Sequence, residues 1–221
     1  FAQEIFESTK TICSYNVHYN MITVTDGCLL LVINDCTISF KINLSSVRVY
    51  AVGSGGGGGA PNQSNAGGGG AGGAVIEWVD TLIIDLKKIR VNISAAGGGG
   101  DASAGGDWDN RRNGITGGAT VFDGYQGNAT NLVSYSFEAR GGGGGGFGKQ
   151  EGRTGGNGGG MGSWSNDRLT GGVGNYTTTE ISQYTNNGYQ IHGNNRGGEG
   201  QYSKNNNGSG GSGGGAGGMG G

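Results

Sequence analysis

The sequence predicts an all-β protein: short antiparallel strands plus a lattice of packed glycine segments in the polyglycine II conformation, with little or no α-helix. Three observations lead there. Glycine supplies 56 of the 221 residues, and it disfavours helix interiors by about 1 kcal/mol per residue relative to alanine. Runs that alternate apolar and polar residues, the period of a half-buried strand, recur along the chain. Three of those runs lead into glycine blocks at a fixed spacing of 44 residues.

Residues 1–46 read as a β-rich N-terminal segment. Strand-forming runs follow one another at Thr11–Tyr19, Met21–Thr25, Cys28–Ile33 and Thr37–Leu44, with Asp26-Gly27 and Asn34-Asp35 as turns. In the last run Ile38, Phe40, Ile42 and Leu44 alternate with Ser39, Lys41 and Asn43. Leu29–Ile33 is apolar on both faces, which predicts a central strand or one covered on both sides.

Residues 47–221 read as a glycine-rich repeat domain. Strands beginning at Val47, Ile89 and Val133 run into Gly53, Gly97 and Gly141, and such a period marks a repeated supersecondary unit. The blocks that follow are Gly55–Gly59, Gly97–Gly100 and Gly141–Gly146. Each is followed by a polar excursion and a second cluster: Gly67–Gly70, Gly117-Gly118, and Gly155–Gly160 with Asn157 inside it. Only Thr81–Lys88 admits a short helical turn, and its Ile83-Ile84 suits a strand equally well.

A glycine block has no side chain to bury. Its useful groups are N–H and C=O, which in the polyproline II conformation point outward without internal partners. Ordering glycine also costs more entropy than ordering any other residue. Such a block is therefore held only where neighbouring segments accept and donate its hydrogen bonds. The missing Cβ permits the close approach this needs, and Cα–H···O contacts add a second-order gain. Packed side by side, the blocks form a small lattice beside a conventional core.

Composition excludes several functions. With 14 Lys+Arg against 16 Asp+Glu, the net charge of −2 leaves no electrostatic footprint for nucleic acid. No apolar run reaches the 18 or so residues of a membrane span. One proline, and glycine off the every-third-residue register, exclude collagen. Gly143 to Gly148-Lys149 imitates a phosphate loop, but Gln150 stands where the magnesium-binding hydroxyl belongs. The two histidines, His18 and His192, are far apart and join no metal or hydrolase pattern. The reading is a protein that is not an enzyme, with no catalytic residue, cofactor or metal.

The order Val49–Gly59, Gly67–Ala74, Val91–Gly100 and Gly117-Gly118-Ala119-Thr120-Val121-Phe122 resembles the glycine-rich domain of phage tail fibres and bacterial surface proteins. Similar glycine-rich lattices occur in the tip adhesins of T-even-type phages and in the ectodomains of anaplastic lymphoma kinase-type receptors. The resemblance covers roughly residues 47–221 and implies binding or structure rather than catalysis. Domains of that type close with a β-strand after the last glycine cluster, whereas here the sequence closes at Gly221. The expectation is an open edge that pairs with another chain. Phe1–Val17 of one subunit is the candidate donor, and head-to-tail contacts of this kind build open filaments unless the rotation closes a ring.

The opening Phe1-Ala2-Gln3 lacks an initiator Met, which fits a processed mature end. Six Asn-x-Ser/Thr sequons, at Asn43, Asn62, Asn92, Asn128, Asn175 and Asn207, stand against about three expected by chance, and they are glycosylation candidates. Cys13, Cys28 and Cys36 are disulfide candidates: one bond and a leftover thiol, or three free thiols. Trp108, Tyr125, Trp164, Tyr176, Tyr184, Tyr189 and Tyr202 fall in the polar excursions. They are candidate surface contacts for a receptor or glycan, or they cover the lattice ends or pack between subunits. Two functions follow: the glycosylated subunit of an extracellular filament whose partners are copies of itself, or a receptor-binding domain at a phage tail-fibre tip.

Overall fold

The computed structural model describes residues 6–8, 15–19, 28–32, 35–44, 47–61, 66–80, 86–103, 110–126, 133–148, 150–162, 170–200, 211 and 213–214. Within them lie strands β1 (Phe6–Ser8), β2 (Tyr15–Tyr19), β3 (Cys28–Val32), β4 (Cys36–Leu44), β5 (Val47–Val52), β6 (Val75–Asp80), β7 (Leu86–Ile93), β8 (Thr120–Gln126), β9 (Val133–Ala139) and β10 (Tyr189–His192). One helix, α1 (Thr178–Asn186), and a single 3-10 turn at Asn110–Arg112 complete the regular elements among the described residues. The protein is all-β, as its sequence predicts. The described part of Thr81–Lys88 is strand, the start of β7, and residues 81–85 lie outside the described residues.

The chain forms two compact units. Unit one comprises residues 1–48, 79–93 and 121–137. The boundary expected after residue 46 is therefore not a single cut. The reason is pairing: β7 and β8, which follow the first glycine block, join the N-terminal β4 in one five-stranded sheet ordered β1-β4-β7-β8-β9. β4 and β7 are antiparallel, with Ile38 opposite Ile89 and Cys36 opposite Val91, and the register shifts between Ser39 and Leu44. A separate ribbon pairs β2 with β3, His18 opposite Leu29. The described part of the apolar run, Leu29–Val32, thus lies in a two-stranded ribbon among the described residues rather than at the centre of a larger sheet.

The core of unit one follows from alternation. Leu86, Ile89 and Val91 on β7 are buried with Phe122 and Phe137, whose rings stack at 4.8 Å. Gly124 lets the β8 backbone pass between Leu86 and Tyr135, whose side chains would lie 3.2 and 3.4 Å from any Cβ placed there. Buried Asp123 is satisfied by Ser136 at 2.8 Å and by Arg90 at 3.2 Å. Lys88 Nζ rests 4.4 Å from the Tyr125 ring centroid.

Unit two comprises residues 49–78, 94–120 and 138–221. It holds a three-stranded sheet ordered β10-β6-β5 and the glycine segments. These segments are bonded to one another by main-chain hydrogen bonds that recur every third residue. From the first block, Gly53, Gly56 and Gly59 donate to the carbonyls of Ala74, Ala71 and Gly68, at 2.8–2.9 Å. Their neighbours Ser54, Gly57 and Ala60 donate to Gly118, Ile115 and Arg112 in a second segment. Both partner segments run back against the first. The 44-residue repeat has a direct consequence: Gly97 and Gly100 donate to Gly55 and Gly58, while Gly142 and Gly145 donate to Ser54 and Gly57. The three first-glycine blocks therefore run parallel, side by side.

The third block is the most enclosed, and residues 141–148 are all buried. Besides the bonds of Gly142 and Gly145, Gly143 and Gly146 donate to Asn157 and Gly160. The carbonyls of Gly142 and Gly145 accept from Gly117 and Gly114, those of Arg140, Gly143 and Gly146 from Ala74, Ala71 and Gly68, and those of Gly141 and Gly144 from Gly156 and Arg153. Each neighbouring strip is met at intervals of three. The absent Cβ is what permits this spacing. A Cβ on Gly142, Gly144 or Gly145 would overlap the carbonyl of Ala71, Gly114 or Gly68 respectively, whereas one on exposed Gly72 meets nothing within 4 Å.

This contrast is testable by thermal denaturation. Gly145→Ala is expected to lower stability by about 2 kcal/mol or more, the upper range of core overpacking. Gly72→Ala is expected to stay within about 0.5 kcal/mol of the parent, as a surface change does. Equal tolerance of the two would contradict the close-packed arrangement.

Candidate functional site

The functional geometry of unit two consists of the bonded glycine segments and the elements that close them. Asn157 is the polar group at their centre. It is fully buried, and its side-chain N–H donors reach the carbonyls of Gly72 at 3.0 Å and Gly73 at 3.2 Å. Its Oδ1 accepts from the Asn195 main chain at 3.2 Å and the Asn195 side chain at 3.3 Å. One amide thus ties three segments together where glycine alone offers no side-chain link. Asn113 acts similarly: its Oδ1 accepts the N–H of buried Phe147 at 2.8 Å and its amide reaches Gln150.

The phosphate-loop imitation lies inside this assembly. The N–H groups of Gly143, Gly145 and Gly146 are already donated to Asn157, Gly57 and Gly160. A phosphate cradle needs those groups free, so this segment is not one.

Helix α1 is the element that the composition hides. Thr177 caps it, Oγ1 accepting the Glu180 N–H at 3.2 Å while the Glu180 carboxylate accepts the Thr177 N–H at 2.8 Å. This reciprocal capping box was readable as Thr-x-x-Glu. Gly188, at φ +80°, ends the helix in the left-handed region. The same Glu180 pairs with the Arg140 guanidinium, whose carbon lies 4.6 Å from the Tyr176 ring centroid. The Thr177 N–H, then Arg140, hold the Glu180 carboxyl down to about 2. For Arg140, burial opposes the charge, but the bond to Glu180 outweighs it and the net shift is upward.

The tyrosines around α1 bond to the main chain at the end of β9. Arg140 N–H donates to the Tyr176 hydroxyl at 2.8 Å, and that hydroxyl donates to the Glu138 carbonyl at 2.9 Å. Glu138 N–H donates to the Tyr184 hydroxyl at 3.1 Å. Burial pushes both hydroxyls above the ordinary tyrosine range. An aromatic series continues from Tyr176 to Tyr184, Tyr189 and Trp78, with ring centroids 6.1, 5.7 and 5.6 Å apart. The expectation of surface contact is corrected here: Tyr125, Tyr176 and Tyr189 are buried, and Tyr184 is half-buried. The Tyr176 and Tyr184 hydroxyls satisfy main-chain groups at the end of β9, so these two rings face inward. Trp108, Trp164 and Tyr202 lie outside the described residues.

On the other face of β6, Glu77 bridges exposed Tyr50 and His192, its two carboxylate oxygens lying 2.8 Å from the Tyr50 hydroxyl and 3.0 Å from His192 Nε2. This row links all three strands of the small sheet. Among the described residues no group of three or more His, Cys, Asp or Glu is placed to hold a metal, and no helix is long and apolar enough to cross a membrane.

Of the sequons, Asn43 lies in β4 and Asn92 in β7. Asn175 is exposed beside the α1 cap, and Asn62, Asn128 and Asn207 lie outside the described residues. Cys28 opens β3 opposite Tyr19, Cys36 opens β4 opposite Val91, and Cys13 lies outside the described residues.

Strands that lead into mutually bonded glycine segments define a glycine-rich, all-β class of protein. A family model described as a glycine-rich domain matches residues 33–221, and the chain belongs to that family. No curated protein and no solved structure matches it.

Two outcomes are expected here. Asn157→Ala leaves the Gly72 and Gly73 carbonyls and the Asn195 N–H without their partner, a loss of about 1–3 kcal/mol by chemical denaturation. The Glu180 carboxyl is held at about 2 rather than 4.5, so its stabilisation is complete above the unfolded value and is lost as pH falls from there toward 2. Tyrosine fluorescence should report loosening of α1 in that window, and Glu180→Gln should remove the transition.

Proposed function

We propose that this chain is the structural subunit of an extracellular filament, a glycosylated protein that joins copies of itself head to tail by strand complementation and performs no catalysis. The observation that carries this reading is the three-residue period of the hydrogen bonds between glycine segments. Three residues per turn is the period of the polyglycine II helix, and none of the described glycines from Gly53 to Gly146 has a left-handed φ. We read the segments as a polyglycine II lattice of the phage tail-fibre type. In such a lattice the main chain is consumed in mutual pairing, which suits a rigid element under load.

Strand complementation draws on β1. It pairs with β4 inside its own chain, at the edge of the five-stranded sheet, with Phe6 opposite Phe40 and Ser8 opposite Ile38. A three-residue edge strand near the start of the sequence can supply the same register to a neighbouring copy, because the exchanged contacts are identical. Heterologous exchange propagates as an open filament where its rotation does not close a ring. Exposed Asn175 is the described sequon best presented for a glycan.

Electron microscopy tests the assembly. The full chain is expected to form long uniform fibres built only of itself, and a variant lacking Phe1–Thr11 is expected to form none. Fibres from the truncated chain at the parent's rate would overturn the exchange.

A further inference from the structure

An asparagine followed by glycine is chemically labile, because the glycine nitrogen reaches the asparagine side chain with no Cβ in the way. That nitrogen attacks the Asn Cγ, and the new N–Cγ bond closes a five-membered imide. The Cγ–Nδ2 bond breaks, and the amide leaves as ammonia with the proton of the attacking N–H. Water then opens the ring at either carbonyl. The product is aspartate, or isoaspartate, whose main chain runs through Cβ and is one carbon longer. The sequence holds four such pairs, Asn113-Gly114, Asn157-Gly158, Asn187-Gly188 and Asn207-Gly208. The last lies outside the described residues.

Two of the other three are locked. Asn113 is buried, its Oδ1 accepts the Phe147 N–H at 2.8 Å, and its amide donates to Gln150. The attacking group is engaged too, since the Gly114 N–H is donated to the Gly145 carbonyl at 2.9 Å. Asn157 is fully buried and bonded at both ends of its amide, and the Gly158 N–H is donated to the Asn195 carbonyl at 2.8 Å. Ring closure at either position needs the bonded glycine segments to part.

Asn187 is the opposite case. It ends α1 at φ −94° and ψ 11°, it is exposed, and its side-chain amide has no hydrogen bond among the described residues. Gly188 is exposed as well, and a Cβ placed there would meet nothing nearer than the Trp78 indole at 3.9 Å. The Gly188 N–H is held by the Thr185 carbonyl at 3.1 Å. That bond belongs to the last turn of the helix, and fraying of a helix end releases it without opening anything else.

We infer that Asn187 is a modification site, the place where the folded chain deamidates, and that the change loosens the junction between α1 and β10. Either product makes the net charge of −2 one unit more negative. The new carboxylate stands at the negative end of the helix macrodipole, where it opposes the helix. Isoaspartate also lengthens the main chain two residues before buried Tyr189, which opens β10 opposite Trp78.

Peptide mass spectrometry of the full chain, kept folded in mildly alkaline buffer and sampled over time, tests the site. The chain in denaturant supplies the intrinsic rate of each pair. In the folded chain Asn187 is expected to convert at least about tenfold faster than Asn113 and Asn157, which wait for unit two to open. Conversion of the three at one rate would overturn the site, as would an intact Asn187 after the denatured chain has converted. Hydrogen exchange over residues 178–192 tests the loosening. It is expected to become several-fold faster in the aged protein and to stay at its fresh rate in Asn187→Ser aged alongside. Unchanged exchange in the aged parent, or equal acceleration in the variant, would overturn it.

Discussion

The structure depends on hydrogen bonding between main-chain segments that have no side chains to keep them apart. In an ordinary sheet a strand bonds to two neighbours, successive residues alternate between them, and the side chains stand off the pleat. Here successive residues of one segment point to different neighbours and the pattern returns at the fourth. A segment such as Gly141–Gly146 can therefore be surrounded, bonded in turn to the first block, to Gly68–Ala74, to Gly114–Gly117 and to both arms of the residues 153–160 excursion. Glycine is the residue with the largest entropy to lose, and the close-packed amides are what offset that loss. The same close packing makes most interior glycines irreplaceable, since the nearest atoms are carbonyl groups of rigid neighbours rather than movable side chains.

Side chains enter where the amide pattern cannot finish by itself. Asn157 bridges main-chain groups of two other segments with a single primary amide, which offers both donor and acceptor. Tyr176 and Tyr184 do so at the end of β9, where a strand would otherwise leave Glu138 and Arg140 unpaired. Arg140 joins these elements: its guanidinium pairs with Glu180 on α1, stacks over Tyr176, and its carbonyl accepts from Ala74. Charge, ring and main chain meet at the residue that directly precedes the most buried glycine block.

Much of this was legible in the residues, and the exceptions have physical causes. The 44-residue spacing of Gly53, Gly97 and Gly141 becomes three parallel blocks in near register, because equal repeats bring equivalent atoms to the same level. The alternating runs became β4, β5, β7 and β9. The returning segments that run back through Gly68–Ala74 and Arg112–Gly118 were not legible, since a three-residue period leaves no trace in residues without side chains. The role of Asn157 was hidden in the same way, although a lone Asn within Gly155–Gly160 was the available signal. Helix α1 was overlooked because glycine dominates the composition, while its Thr177-x-x-Glu180 cap is local. The residues left the tyrosines between surface contact and covering the lattice ends, because polar neighbours in sequence do not reveal the main-chain partners that the Tyr176 and Tyr184 hydroxyls find.

The central claim is that the glycine segments form a solid by mutual amide pairing, and residue-resolved amide exchange by NMR on the dilute monomer addresses it most directly. The account predicts that the N–H groups of Gly142, Gly143, Gly145 and Gly146 exchange only with unfolding of unit two, while those of Gly55, Gly58, Gly98 and Gly99 exchange readily. Exchange of all eight at the rates of a free peptide would contradict it.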